Sequence, residues 1–414
     1  MSPTLPSSVS NARPHLLAHL ASDPTRNAPP RHRRACRYAT YLPDLLTTLP
    51  LQLDSGLAAL VSEAERSLRN LNDEGGHARA PLARLLLRTE SIASSKLEGL
   101  QASVRDLAQA EASAHWGITP GPIALEVLAN IEAMVLAVET TATANRFGEM
   151  ELLSIHQRLL ERTPLRHIAD RLRTGQNWIG RNDDTPCGAD CVPPPPEDLP
   201  RLLVDLFAAI NDDGHSPLVQ AALVHAQFET IHPFDDGNGR TGRALVHVLL
   251  RRRGLAPRFV PPISVVFAGA RDQYISALTR FREAGSDGVA HWLEHFATAT
   301  LRAARLAHDY VHAVRALQDR WRVRVRNQAH VPRSDAAAWA LIDLLPAHPM
   351  LSAQVATAIT ERAKSRVYEG LEQLVTAGVL LPLSAGQRNR WWEAEGLLDL
   401  IARLEIGESP ATEG

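Results

Sequence analysis

The chain has 414 residues, 45% of them apolar, enough for two or three domains with cores of their own. Lys and Arg number 44 against 46 Asp and Glu, and the formal charge of −2 gives no global case for binding nucleic acid or an anionic membrane. Three cysteines, Cys36, Cys187 and Cys191, predict a reduced setting without a disulfide framework, and no run approaches the roughly 20 apolar residues of a membrane span, so a cytoplasmic protein is expected.

Residues 1–30 are rich in Ser, Pro and Ala and lack a continuous apolar stretch, so no signal peptide is predicted and residues 1–35 read as a disordered arm. Arg31, His32, Arg33, Arg34 and Arg37 form a small basic cluster at its end, read as solvated surface. From Leu51 to Leu107, Leu and Ala recur at three and four, and the clearest helices are Ala58 to Leu71 and Leu82 to Leu97. The second runs into Ser94-Ser95-Lys96-Leu97-Glu98-Gly99, which taken alone is a solvated helix face. Two further helices are predicted between Ile123 and Arg162, the second with Leu152, Ile155 and Leu159 on one face. Periodicity then breaks at Arg173-Thr174-Gly175-Gln176-Asn177-Trp178-Ile179-Gly180. A turn-rich stretch leads on to Val192 and four prolines, so a short β-hairpin with a polyproline exit is expected. Cys187 and Cys191 flank that loop, and a metal there would need ligands the neighbourhood does not offer. Pro200 to Ala209 adds a helix.

Leu218 to Phe228 and Ala244 to Leu250 predict two helices joined by His232-Pro-Phe-Asp-Asp-Gly-Asn-Gly-Arg-Thr-Gly-Arg243. Gly and Asn tolerate φ > 0, so consecutive backbone N–H groups of Gly237, Asn238 and Gly239 can turn toward one phosphate. The unpaired N–H groups and positive dipole end of the following helix favour the same charge. Arg240 and Arg243 lie three apart and share a helix face, where both can reach a polyphosphate. A P-loop is excluded by the missing Lys-Ser/Thr, and an EF-hand by Arg240 and Thr241 where an acceptor and a Gly belong.

This stretch resembles the signature of the Fic family, His-Pro-Phe-x-Asp/Glu-Gly-Asn-Gly/Lys-Arg-x-x-Arg, at every defined position. Members of that family mostly transfer AMP from ATP to a hydroxyl of a target protein. The resemblance implies that His232 is the general base, a role suited to an imidazole that titrates near neutrality. It implies that Asp236 holds Mg2+ and that Gly237, Asn238 and Gly239 cradle the phosphates of ATP. Arg240 and Arg243 would neutralise the part that leaves as pyrophosphate. Phe234 reads as a core anchor, and Asp235 occupies the variable position.

Two other segments fit the resemblance. Ser94 to Gly99 matches the family's inhibitory pattern, Ser/Thr-x-x-x-Glu-Gly/Asn, in which the glutamate of an N-terminal helix pairs with the second arginine. Ser94, Glu98 and Gly99 are therefore the inhibitory set, with Glu98 competing with ATP for Arg243. The 173–180 stretch resembles the flap that aligns a target's hydroxyl by main-chain pairing, which makes Gln176, Asn177, Trp178, Ile179 and Gly180 target-binding candidates. Asp170-Arg171-Leu172 stands where relatives carry a Gly and an aromatic, which affects the flap's shape. Trp178 serves either the target or packing under the hairpin.

Beyond the motif, Tyr274 to Ala284 and Val289 to Arg315 are expected helices, with Tyr274 read as a core residue before a base contact. Residues 316–333 form a charged linker that begins or ends a linker helix, with Pro332 as punctuation, and 334–414 read as three helices and two short strands, the outline of a winged helix-turn-helix. Arg362, Lys364 and Arg366 are offset there by Glu361, Glu369 and Glu372, so either DNA or protein remains open as its partner, with Arg388 and Arg390 adding charge to the wing. The expected architecture is mainly α: a disordered arm to 35, an N-terminal helical region at 36–110, a Fic-type helical bundle with a small β-hairpin flap at 111–315, and the winged helix. The implied partner is a protein with a Ser, Thr or Tyr hydroxyl, with self-modification and a homodimer open. De-AMPylation, transfer of another phosphate-containing group, and a DNA-binding regulator with a nucleotide-sensing core are the alternatives.

Overall fold

Helices carry most of the chain. The computed structural model describes residues 15–20, 29–73, 79–103, 106–107, 110–111, 120–180, 184–283, 285–383 and 390–410. In chain order these hold β1 (His15–Leu20), β2 (Cys36–Tyr41), α1 (Ser55–Asp73), α2 (Arg79–Leu97), α3 (Pro122–Glu139), α4 (Glu149–Leu160) and α5 (Leu199–Asn211). Then come α6 (Pro217–Ile231), α7 (Asn238–Arg252), α8 (Ile263–Gly269), α9 (Arg271–Glu283) and α10 (Gly285–Arg326). The C-terminal elements are α11 (Ala337–Leu344), β3 (Met350–Ser352), α12 (Ala353–Thr360), α13 (Lys364–Thr376), β4 (Leu380–Pro382), β5 (Trp391–Ala394) and α14 (Leu397–Glu405). The chain divides into two compact units: Met1–Ser62, Ala137–Arg253 and Asp272–Thr298, and Glu63–Leu136, Gly254–Arg271 and Ala299–Gly414.

In the first unit, α6 is the central element. Every residue from Leu218 to Ile231 is buried, as expected of a helix apolar nearly all round. Pro217 starts it at a position where no N–H is needed. The Gln220 amide donates to the carbonyls of Ala209 and Ile210 at 2.7 and 3.1 Å, closing the end of α5. Trp292 Nε1 donates to Ala222 O at 2.8 Å, tying the start of α10 to α6. α7 lies against α6 at very short range. A Cβ on Gly242 would stand 2.5 Å from Glu229 Oε1 and 2.9 Å from Phe228 Cδ1, so only glycine permits this approach. Tyr274 is a core residue: it is buried, and its hydroxyl meets His225 Nε2 at 2.9 Å.

In the second unit, α2 is held by polar contacts along a buried helix. Glu90 accepts from Ser264 N at 2.8 Å and from Ser264 Oγ at 2.6 Å. Asn130 Nδ2 donates to Ser91 O at 2.7 Å and Ser95 Oγ at 3.0 Å. The C-terminal part packs α11, α12 and α13 around Leu341, Val367, Leu371 and Leu374. Its sheet is antiparallel in the order β3-β5-β4, and Ser352 caps α12 through its side chain, as the sequence suggests. The turn at 385–389, with Arg388, lies outside the described residues.

Two expectations change, the arm and the cysteines, and two are refined. Residues 15–20 of the supposed disordered arm form β1, paired antiparallel with β2. The linker helix expected within 316–333 is the end of α10, which runs to Arg326 with Trp321 and Val325 buried. Cys36 and Cys187, with Cα atoms 6.2 Å apart, are joined by a disulfide where none was expected, and their separation of 151 residues hides the pairing in the sequence. At the short hairpin expected for the flap, the described residues pair through the antiparallel bridge Ile179 to Cys191. No helix among the described residues is long and apolar enough to cross a membrane.

Candidate active site

The site begins where α6 stops. His232 adopts φ 50°, ψ 60°, a left-handed conformation rare for a residue with a Cβ, and its N–H closes the helix on Phe228 O at 2.9 Å. Its Nδ1 lies 3.3 Å from Glu229 O. A carbonyl only accepts, so Nδ1 carries the proton and Nε2 is the accepting nitrogen. That tautomer suits a base.

The last carbonyls of a helix lack partners within it. Here they are met by buried side chains. Arg173 Nε donates to His232 O at 2.9 Å, and its Nη2 reaches Ile231 O at 3.4 Å. The same guanidinium donates to Gly175 O at 2.9 Å and Pro194 O at 2.5 Å, so one side chain joins both ends of the flap to the turn at His232. Burial, opposed by Asp235 and Glu197, lowers its pKa to about 10, and it stays charged at neutral pH. From α9, Arg282 Nη2 donates to Glu229 O and Arg282 Nε to Thr230 Oγ1, each at 3.3 Å.

The loop is fixed from within. Asn238 Oδ1 accepts from Phe234 N at 2.9 Å and Nδ2 donates to Phe234 O at 2.8 Å, so this side chain shapes the turn. Phe234 is fully buried, as expected of an anchor, with His156 stacked on it at 3.7 Å between ring centroids. His156 Nε2 meets Asp236 O at 3.0 Å. Burial drops the His156 pKa to about 4, so it is a neutral donor supporting the loop. The sequence reading missed it, although its place on α4 beside Ile155 and Leu159 was the available signal. Gly237 has φ 78°, and a Cβ there would also lie 3.0 Å from Leu159 Cδ2.

Beyond Gly237, the first N–H groups of α7 come from Asn238, Gly239 and Arg240, positions that make no i→i−4 bond within the helix. Arg240 and Arg243 are both buried on that helix. Arg240 Nη2 binds Asp236 Oδ1 at 3.0 Å, and the Asp236 side chain is 46% exposed. Arg243 stands near buried His225, whose pKa is held to about 3, chiefly by burial and next by the Arg243 charge. The first unit thus assembles His232, Asp236, Gly237, Asn238, Gly239, Arg240 and Arg243 on one loop and helix start.

The flap residues divide. Asn177 Nδ2 donates to His232 O at 3.2 Å and Phe234 O at 3.0 Å, and Gln176 Nε2 to Pro193 O at 2.9 Å. Both amides support the loop. Ile179 N donates to Cys191 O at 2.8 Å, and Gly180, at φ 91°, is too near Asp190 to carry any side chain. Trp178 is half-buried. In the second unit, Ser94 is buried on α2, Glu98 is exposed at its end, and Gly99 has φ 81°.

The loop's carboxylate fits a hard cation held mainly by phosphate and water. Asp236 is half-exposed and one of its oxygens is committed to Arg240. No cluster of three or more His, Cys, Asp or Glu suited to a metal occurs among the described residues.

Residues 146–250 match the Fic/DOC family and residues 58–139 the N-terminal domain of the Fic/DOC family. The chain thus carries a segment like the Fic/DOC domain and one like its N-terminal companion. It is 26% identical over 217 residues to protein adenylyltransferase fic-1 of Caenorhabditis elegans, covering 50% of this chain and 41% of the relative. Over 128 residues it is 34% identical to protein adenylyltransferase Fic of Nematostella vectensis, covering 30% of this chain and 26% of that one. The chain thus spans less than half the length of these relatives. A Fic family protein from Desulfovibrio desulfuricans has the same fold, with a TM-score of 0.53 over 84% of this chain and 98% of that one at 21% identity.

Proposed function

We propose that this protein transfers AMP from ATP to a Ser, Thr or Tyr hydroxyl of a target protein. The observation that carries the reading is the contact of His232 Nδ1 with Glu229 O at 3.3 Å, which favours the Nδ1–H tautomer and makes Nε2 the basic nitrogen. The target hydroxyl gives its proton to Nε2 as its oxygen bonds to the α-phosphorus. The bond from that phosphorus to the β-bridging oxygen breaks, and pyrophosphate leaves. The N–H groups at the start of α7 bind phosphate oxygens, and Arg240 and Arg243 offset the charge that builds on the leaving group. Asp236 would hold Mg2+, which when bound neutralises phosphate charge. The names of the relatives support the same activity.

The flap bridge at Ile179 supports the reading that an extended target segment pairs with this edge. Glu98, from the same chain or a second copy, restrains the enzyme by competing with ATP for Arg243, a reading carried by the Ser94-to-Gly99 pattern. The helices α11 to α13 and their sheet support a winged-helix module, in which mixed charge on α13 favours a protein partner over DNA.

Labelled ATP tests this directly. Glu98→Gly protein should incorporate AMP into itself or into a lysate protein well above the wild-type level. Adding His232→Ala should abolish incorporation while ATP still binds. Transfer that persists in the double variant would remove His232 from the mechanism.

A further inference from the structure

We infer that Arg282 is a positioning residue for the catalytic base, acting through the Glu229 carbonyl it shares with His232. The inference rests on the transfer reading above. Glu229 O belongs to the last turn of α6, where a helix leaves its carbonyls unpartnered. It accepts from His232 Nδ1 at 3.3 Å and from Arg282 Nη2 at 3.3 Å. Arg282 Nε is braced on Thr230 Oγ1 at 3.3 Å, and Thr230 Oγ1 in turn donates to Ala226 O at 2.7 Å. All of these groups are buried except His232, which is partly exposed.

The geometry has a specific consequence. His232 sits in a left-handed backbone conformation that the local sequence does not favour, so its ring needs a fixed reference. That reference is the Glu229 carbonyl. A planar guanidinium with two donors braced on neighbouring residues locks that carbonyl, whereas a carbonyl at a fraying helix end would tilt. A cation at this end is also favoured by the helix dipole. Arg282 comes from α9, thirty-nine residues after the motif ends, and belongs to no part of the signature. It also borders a cavity of about 280 Å³ between β2, the flap at 186–192 and α9, so the group that orients the base stands beside the flap.

The test uses full-length Glu98→Gly protein as the active background. Arg282→Ala should lower kcat for AMP incorporation by about tenfold to a hundredfold, the scale expected when a reacting group is misplaced by an ångström. The ATP dissociation constant should stay within twofold, because no phosphate contact is removed. Arg282→Lys, and separately added guanidinium with Arg282→Ala, should restore part of kcat. Nitrogen NMR of histidine side chains supplies a readout independent of activity: His232 should be the Nδ1–H tautomer, and Arg282→Ala should mix the tautomers. An unchanged kcat and an unchanged tautomer in Arg282→Ala would overturn the inference. So would a kcat loss that follows ATP binding and melting temperature and is not rescued. If the Glu98→Gly parent shows no transfer at all, the functional reading fails, while the tautomer measurement still decides the role of Arg282.

Discussion

Two helix ends in this molecule solve one problem in opposite ways. α2 closes with its own backbone: Gly99 N donates to Lys96 O at 3.0 Å and Leu100 N to Ser95 O at 3.1 Å, a Schellman motif with glycine in the left-handed position. α6 has His232 where α2 has Gly99 one residue beyond its cap, and its terminal carbonyls are taken by Arg173, Asn177 and Arg282. The first end is mostly local, with Arg271 Nε adding one donor to Leu97 O at 3.3 Å, and it leaves Glu98 exposed at the helix tip. The second is held by side chains from distant segments, which is how a histidine, the proposed base, comes to occupy a position a glycine would take. The α6 end is held by several distant side chains, whereas the α2 end takes one such donor besides its own backbone.

The sharpest way to break this comparison is at Arg173. Arg173→Ala leaves four carbonyls short of a donor, and on the order of 3 kcal/mol of stability should go, as for other buried groups stripped of a charged partner. AMP incorporation should vanish with it, read by urea unfolding alongside the labelled assay. Wild-type stability in this variant would show that the α6 end closes by itself.

The pH dependence comes next. Burial lowers His156 to about 4 and His225 to about 3 from the ordinary 6.5, so the folded state favours both neutral. Each therefore contributes stability that is fully present above pH 6.5 and lost as pH falls through the folded value. The unfolding free energy should drop steadily from pH 6.5 toward 4, by as much as about 3 kcal/mol for His156 alone, with a matching fall in melting temperature. His156→Phe should flatten part of that slope, and an unaltered slope would mean that His156 is not buried neutral under the loop.

Smaller effects belong to the glycines. Gly242→Ala pushes a methyl into Glu229 and Phe228 and should cost about 2 kcal/mol, with reduced transfer as α7 shifts. Gly99→Ala meets nothing within 4 Å, so only left-handed strain opposes it, about 1 kcal/mol. If Gly99→Ala cost as much as Arg173→Ala, the contrast between the two ends would be wrong.

Much of this was legible in the order of residues. The motif at 232–243 reads directly, because Gly237 and Asn238 are required by a left-handed turn and by a side chain that returns to Phe234. Gly99 and the helix end before Glu98 read as well, since a Schellman cap is a short-range event. The helices read from apolar spacing, and the charged stretch after Arg315 continues α10 as far as Arg326, with Trp321 and Val325 buried.

Other features needed the fold. Gln176 and Asn177 looked like target contacts, yet the structure turns their amides to carbonyls at 193, 232 and 234. His156, Arg282 and the Cys36–Cys187 bridge lie tens to more than a hundred residues from their partners, beyond any periodicity. The sequence by itself determined which groups do the proposed chemistry and the turn that bears them, because turn and cap preferences act over a few residues. Only the tertiary structure decided how the base is oriented, because orphan carbonyls at the end of α6 take whichever donors folding brings to them.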